Sequence, residues 1–216
     1  MRMQIALFAA MLVATPAAAQ INGSASGWSS APVEASQEEY WNFMGRMGTC
    51  LAENKAEEAE AFVGSVIDSA AEGEAFDALF DRRFNQCMRN YVSAGVVRSR
   101  VRGVVAEGLF ELLPDETIEQ FIAAPPAAPA TIGTLHDLAR CYVVAHPADA
   151  RQLLRETRVA TRGELEFIQA IAPDLQPCMP QGREVRLQAT SLRMAIAEAA
   201  WRAATGREAP TMQGRS

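Results

Sequence analysis

Four cysteines divide this chain into two similar halves. Cys50 and Cys87 lie 37 residues apart, Cys141 and Cys178 also lie 37 residues apart, and the second pair follows the first by 91 residues. A repeated spacing of this kind indicates one structural unit that occurs twice. A unit that carries its own crosslink restricts the fold more than any other feature of the sequence.

Further residues agree with the same offset of 91. The matches are Ala59 with Ala150, Phe76 with Phe167, Met88 with Met179, Arg102 with Arg193, Ala106 with Ala197, and Glu107 with Glu198. All of these matches hold without an insertion or deletion. The equal spacing of the two cysteine pairs is therefore poorly explained by chance. We therefore predict two tandem copies in an ungapped register.

The first 19 residues have the features of a secretory signal peptide. Arg2 gives a positive start, residues 5–13 form a short apolar run, and three alanines at 17–19 form a cleavage site before Gln20. A membrane anchor is the weaker alternative, because the run is too short to cross about 30 Å of hydrocarbon. We predict cleavage, a periplasmic or secreted location, and no membrane span.

The charge of the chain excludes one class of partner. The formal net charge is −6, and it becomes −7 after cleavage because Arg2 is the only charged residue removed. A mildly acidic protein is not expected to bind nucleic acid nonspecifically. Hydrophobic residues make up 49% of the chain and charged residues 21%, a balance that permits a sizeable core.

Export predicts that the cysteines are oxidised. Four cysteines allow three pairings, and the duplicated unit selects Cys50–Cys87 and Cys141–Cys178. Zinc is the weaker alternative, because there is no C-x-x-C motif and neither His136 nor His146 falls at ligand spacing from a cysteine. We expect neither a metal nor another cofactor.

Apolar residues recur at helical spacing in both halves, and no alternating strand pattern of useful length is present. The prediction is an all-α fold of two tandem four-helix units, each with one disulfide. In the first unit the third helix is predicted to carry Cys87, and Val97 is placed on the apolar face of a fourth helix at about 95–113. The predicted boundaries are a flexible tail at 20–35, unit 1 at 36–113, a Pro/Ala-rich linker at 114–133, unit 2 at 134–205 and a disordered tail at 206–216.

The doubled cysteine pair in a helical pattern resembles secreted all-helical proteins of Gram-negative bacteria that have no assigned activity. The resemblance covers residues 36–205. It implies a helical fold and an exported protein. It implies no activity and transfers no functional residues.

Six residues on the two fourth helices form a candidate junction site between the units. They match in pairs at the 91-residue offset: Arg102 with Arg193, Glu107 with Glu198, and Phe110 with Trp201. The charged residues flank the apolar stripe, where ion pairs are worth under about 1 kcal/mol; a polar ligand site is the alternative. The two aromatic residues make the ends of these helices apolar nearly all round, which predicts a seam with approximate twofold symmetry, or else an exposed patch for a partner.

No catalytic signature is present: there is no G-x-S-x-G, phosphate-loop, H-E-x-x-H or calcium-loop motif. His136 and His146 are interpreted as solvated or capping residues. We predict a non-enzymatic binding or interaction protein whose partner is a periplasmic protein or a small ligand. The alternatives are an exported inhibitor, a chaperone-like stress protein, or a hydrolase whose acidic site would require Glu107 and Glu198 in a shared cleft.

Overall fold

The computed structural model describes residues 21–23, 36–81, 86–87, 91–94, 96–180 and 186–207, with the backbone alone for 21–23 and 91–94. Within these residues the protein is helical and carries two disulfides. The helices are α1 (Gln37–Asn54), α2 (Ala56–Gly64), α3 (Ala70–Leu79), α4 (Arg98–Glu111), α5 (Asp115–Ala123), α6 (Leu135–Ala145), α7 (Pro147–Glu156), α8 (Arg162–Ala170) and α9 (Ala189–Ala204). The predicted signal peptide lies outside the described residues.

One short pair of strands accompanies the helices. Strand β1 (Ile21–Gly23) pairs antiparallel with β2 (Tyr91–Ala94), and β1 falls inside the segment predicted as a flexible tail. Strands of three and four residues are too short to show an alternating pattern, which is why the sequence did not predict them.

Side-chain caps set the starts of four helices. Ser36 and Glu39 form a capping box at α1, and Thr134 and Asp137 form one at α6. In each, the hydroxyl accepts a backbone N–H in the first turn and the carboxylate accepts the N–H of the capping residue, which satisfies two otherwise unpaired donors. Ser69 caps α3 and Thr161 caps α8 in the same way through the hydroxyl.

Three boundaries differ from the sequence prediction. Helix α3 ends at Leu79, so Cys87 lies in a turn beyond it and not on the helix. Helix α4 begins at Arg98, which leaves Val97 as an exposed N-terminal cap residue and not part of the core. The segment predicted as a linker contains α5, whose Ile118 and Phe121 are buried because the helix packs against α7 and α9.

Both predicted disulfide pairings are confirmed. Cys50 of α1 bonds to Cys87, and Cys141 of α6 bonds to Cys178 in a 3-10 helix at Gln176–Cys178. The Cα–Cα distances are 5.5 and 5.7 Å, within the range that a disulfide requires.

Helices α4 and α9 pack against each other at the centre of the molecule. Helix α1 covers α4, and α6 covers α9. The approach of α1 to α4 depends on glycine: a Cβ on Gly48 would lie 2.3 Å from the carbonyl oxygen of Val104, and a Cβ on Gly108 would lie 2.8 Å from the Cα of Thr49. The buried apolar residues of both halves form one continuous core.

The register between the halves is not uniform. Asp68 and Ala160 both have a positive φ, and Ser69 and Thr161 cap the helices that follow, so in this region corresponding positions are 92 residues apart. The cysteines return to the offset of 91. The ungapped register is therefore not confirmed for the third helices, because α7 has ten residues and α2 has nine.

Candidate functional site

Arg102 of α4 connects three parts of the fold. Its Nε and Nη2 donate to the two carboxylate oxygens of Glu198 on α9 at 3.0 and 2.9 Å. Its two Nη groups also donate to the carbonyls of Phe62, Val63 and Ser65 at the end of α2. The arginine therefore caps the C-terminus of α2, where carbonyls have no partner inside the helix, while it pairs with the other half of the chain.

Arg193 of α9 repeats this arrangement in the opposite direction. Its Nε and Nη2 donate to the carboxylate of Glu107 on α4 at 3.0 and 2.7 Å. Its Nη groups donate to the carbonyls of Leu153, Leu154 and Thr157 at the end of α7. Each half thus supplies the arginine for one bidentate ion pair and the glutamate for the other.

These arginines are buried and do not lie at a helix rim, contrary to the expectation from the helical wheel. The exposed fraction is 2% for Arg102 and 0% for Arg193. The wheel considered α4 and α9 alone, whereas the ends of α2 and α7 cover the edge that carries the guanidinium groups. Removing one partner of a buried pair typically costs about 3–5 kcal/mol, well above the surface value.

Glu198 lies at the centre of the buried charges. It accepts hydrogen bonds from Arg102 and Arg202, and Nδ1 of His136 lies 3.3 Å from its Oε2. Burial by itself would raise the pKa of Glu198, but the hydrogen bonds from His136 and Arg102 outweigh it and hold the pKa at about 2. The carboxylate therefore remains ionised through the physiological pH range.

The two halves differ in a second buried glutamate. Glu72 accepts a hydrogen bond from Nη1 of Arg102 at 3.0 Å. Its counterpart Glu164 has Oε1 buried without a hydrogen-bond partner, 3.9 Å from Nε of Arg193. Burial raises the pKa of Glu164, since its backbone hydrogen bond from Ala160 and the charge of Arg193 only partly compensate.

A cleft opens beside the first of the two ion pairs. Its volume is ≈ 230 Å³, and it lies at the N-terminal ends of α4 and α9. The apolar part of its wall consists of Trp41, Ile67, Leu135, Met194 and Ala195. The charged part consists of Asp68, Glu72, Arg98, Arg100, Arg102, His136 and Glu198.

Not every charged group in this wall is available to a ligand. All three nitrogens of Arg102 already donate to protein acceptors, so its role is structural. Arg98, whose side chain is 47% exposed, lies 3.8 Å from Glu72. The guanidinium of Arg100 lies 5.6 Å from the ring centroid of Trp41, and the side chain of His136 is 41% exposed. The charged groups of the wall that remain accessible to solvent are therefore Arg98, Arg100, His136 and Asp68.

The sequence predicted six junction residues, and the structure places them in two groups: four charged residues in ion pairs and two buried aromatic residues. Arg102, Glu107, Arg193 and Glu198 come together in the two ion pairs. Phe110 and Trp201 are both buried, and Trp201 is covered by the guanidinium of Arg207 at 5.0 Å from its ring centroid. Arg207 also pairs with Glu60, so the segment predicted as a disordered tail is held in place at its first two residues.

Sequence reasoning treated His136 as a capping or solvated residue, and the structure places it in the cleft. Its carboxylate partner is Glu198 of α9, 62 residues further along the chain, at the 3.3 Å distance given above. One signal was present in the sequence: the position 91 residues earlier is Gly45, so this histidine occurs in one half alone. A polar residue that breaks an internal match is a candidate for function.

Among the helices of the described ranges, none is long and apolar enough to cross a bilayer. No protein-family model, curated protein or solved structure matches the chain.

Proposed function

We propose that this protein binds a small amphipathic anion in the cleft at the N-terminal ends of α4 and α9. The observation that supports the proposal is the composition of the cleft wall: an apolar side with Trp41 and Met194 faces an opening flanked by Arg98, Arg100 and His136. Ligand sites commonly combine apolar walls with a few convergent polar groups in this way.

Charge and helix orientation favour an anionic group at the opening. Arg102 pairs with Glu198 and Arg98 lies beside Glu72, which leaves Arg100, His136 and Asp68 as the other charged or titratable groups of the wall. The first turns of α4 and α9 contain no acidic residue and have no side-chain cap, so their partial positive charge is uncompensated. A carboxylate, sulfonate or phosphate group would fit the opening, with its apolar part against Trp41 and Met194.

Binding of a fluorescent probe tests this proposal. Anilinonaphthalene sulfonate has an anionic group on an aromatic body, and we expect saturable binding to one site. Octanoate should displace the probe and octyltrimethylammonium should not, because the two competitors share a chain and differ in charge. Arg100→Gln should weaken binding about tenfold, which corresponds to about 1.4 kcal/mol.

The matched control is Arg162→Gln, which removes the same charge from a side chain that is 90% exposed and pairs with Glu166 on its own helix. Equal loss of binding in the two variants would show that the net charge of the protein, and not the cleft, attracts the probe. Absence of saturable binding would reject the proposal.

We propose further that the two halves are duplicated four-helix units related by an approximate twofold axis. The reciprocal pairs support this, since Arg102 with Glu198 and Arg193 with Glu107 exchange roles between halves as residues do across a symmetric dimer interface. The cleft lies on one side of this arrangement, where His136 replaces the glycine of the other half.

An exported, periplasmic location remains part of the proposal. The two disulfides are compatible with an oxidising compartment. N-terminal sequencing of the protein from a periplasmic extract tests it: Gln20 is the expected first residue, and a chain that retains Met1 in the cytoplasm would contradict it.

An enzyme is the second candidate, favoured by the contact between Nδ1 of His136 and Glu198. A carboxylate in this position orients the imidazole and leaves Nε2 free for proton transfer. Glu198 lines the cleft and Glu107 does not, so this cleft does not bring together the two glutamates of the acidic-site hypothesis. Turnover of a chromogenic ester that disappears in His136→Ala and persists in His146→Ala would support an enzyme over a binding protein.

A further inference from the structure

Three ligand-type side chains converge in the second half, away from the cleft. One ligand atom each from His146, Asp149 and Asp174 lies within 4.8 Å of the others. The closest defined contact joins Nδ1 of His146 and Oδ2 of Asp149 at 3.6 Å. None of the three residues lines the cleft of the proposed function.

The fold brings these residues together from the α6–α7 junction and from the turn after α8. His146 ends α6 and precedes α7, and Asp149 lies in the first turn of α7. Asp174 follows α8 and lies four residues before Cys178, whose disulfide to Cys141 fastens this segment to α6. The arrangement is thus fixed by a covalent bond and by a helix junction.

An ion pair alone does not account for this cluster. The contact between His146 and Asp149 would be satisfied by a protonated imidazole, and Asp149 also suits the helix N-terminus. A second carboxylate beside Asp149 adds repulsion that one protonated imidazole offsets only in part, and Asp174 belongs to a different element. A bound cation removes the repulsion.

Tyr142 provides a second observation beside this cluster. Its ring stacks on that of His146 with centroids 5.2 Å apart and planes 20° apart. The residue is 0% exposed and its hydroxyl has no hydrogen-bond partner. A buried hydroxyl without a partner is uncommon, and this one belongs to a ring that stacks directly on His146.

We propose that His146, Asp149 and Asp174 bind a divalent transition-metal ion of the zinc type. One imidazole nitrogen and two carboxylate oxygens are ligands of this class, whereas calcium and magnesium prefer oxygen alone. Tetrahedral zinc places its ligand atoms about 3.3 Å apart, close to the contact between His146 and Asp149. Tyr142 acts as a positioning residue through its hydroxyl, which meets a metal-bound water or a ligating carboxylate.

The first half lacks this site. The position 91 residues before His146 is Lys55, and the position 91 residues before Asp149 is Glu58. The ammonium group of Lys55 donates to the carbonyl of Ala78 at 2.6 Å. A protonated amine has no lone pair for a metal, so the site is a property of the second half.

Titration with Co²⁺ tests the proposal on the full chain, free of any histidine tag and with both disulfides intact. We expect one equivalent of Co²⁺ to produce the visible absorption of a tetrahedral site, and Zn²⁺ to displace it. His146→Ala and Asp174→Asn should raise the dissociation constant at least tenfold. Tyr142→Phe should raise it about tenfold, because Tyr142 positions the site without being a ligand.

His136→Ala is the matched control, because it removes the other histidine of the chain. It should leave Co²⁺ binding unchanged, and circular dichroism should show that all variants remain folded. Asp174→Asn keeps the size of an exposed side chain, so it tests the site even if His146→Ala unfolds. Absence of saturable binding, or binding that survives Asp174→Asn, would overturn the proposal.

Discussion

Gly103 of α4 and Met194 of α9 stand 91 residues apart in the chain and meet where the two helices cross. A Cβ on Gly103 would lie 2.3 Å from the Cβ of Met194, which is closer than two side chains can approach. The residues of the two reciprocal ion pairs lie on either side of this contact in sequence: Arg102 and Glu107 on α4, and Arg193 and Glu198 on α9.

The close contact at Gly103 predicts that one added methyl group at this position lowers stability. Gly103→Ala should lower the free energy of unfolding by about 1–3 kcal/mol, because Met194 and the facing helix must shift. Gly73→Ala is the control: it lies within α3, where an added Cβ meets no heavy atom within 4 Å, and it should stabilise by about 0.5–1 kcal/mol through helix propensity. Urea denaturation measures both, and equal effects would contradict the close crossing.

Arg102 requires a guanidinium and not merely a positive charge. Lysine cannot reproduce the bidentate pair with Glu198 together with the bonds to the end of α2, so Arg102→Lys should cost about 3 kcal/mol or more. Arg162→Lys, at a 90% exposed position, should change stability by less than about 0.5 kcal/mol. Chemical denaturation at neutral pH gives both values; a tolerated lysine at 102 would show that the network contributes little.

Glu72 and Glu164 should respond differently to the same change. Glu72→Gln weakens a charged hydrogen bond to Arg102 and should cost about 1.5–3 kcal/mol at pH 7. Glu164→Gln should be neutral or stabilising within about 1 kcal/mol, because burial already raises the pKa of Glu164 and disfavours its charge.

The pH dependence of the Glu164→Gln variant tests the direction of this pKa shift. A raised folded-state pKa means that wild-type stability falls as pH rises above the unfolded value near 4.5, and glutamine removes that loss. The advantage of Glu164→Gln should therefore shrink toward pH 4. If the stability gain of Glu164→Gln persisted unchanged at pH 4, packing and not the charge of Glu164 would be its cause.

Acid unfolding should reflect Glu198. Its pKa is about 2 in the folded protein and near 4.5 in the unfolded chain, so its contribution is complete above pH 4.5 and is lost as pH falls toward 2. The stability difference between the wild type and Glu198→Gln should therefore narrow over this interval. Glu119→Gln, at an exposed position, should follow the wild-type profile, and a constant gap for Glu198→Gln would contradict the assignment.

The two disulfides close loops of equal length. Each spans 37 residues, and loop-entropy arguments assign about 4 kcal/mol to a loop of this size. Replacing Cys50 and Cys87 by alanine, or Cys141 and Cys178 by alanine, should therefore lower stability by similar amounts in denaturation experiments. A large difference between the two double variants would show that strain or residual structure dominates over chain entropy.

Some parts of this structure could be read from local sequence signals. The cysteine spacing predicted both disulfides, and a hydroxyl residue stands directly before α1, α3, α6 and α8 in the sequence and caps each of them. The change of register was also present in the sequence, because the capping pairs Ser69–Glu72 and Thr161–Glu164 are 92 residues apart. Such signals depend on neighbours along the chain, which a sequence displays directly.

The ion-pair network and the cleft depended on residues far apart in the chain. A helical wheel places Arg102 at the edge of one helix, but its burial results from α2 and α9 packing over that edge. His136 gained its role from Glu198 on α9 in the same manner. Periodicity describes one helix at a time, so it cannot identify which distant groups a side chain meets.

The spacing of the buried ion pairs also has a consequence for how the chain folds as it is made. Arg102 and Glu198 are 96 residues apart, and Glu107 and Arg193 are 86 residues apart. Synthesis starts at the N-terminus, so α4 is complete long before α9 is made. Arg102 and Glu107 are therefore exposed to solvent until α9 is available to pair with them. Nascent intermediates must leave this face of α4 open to solvent and to proteases. The last helix of the described residues, α9, is the one that covers this face of α4.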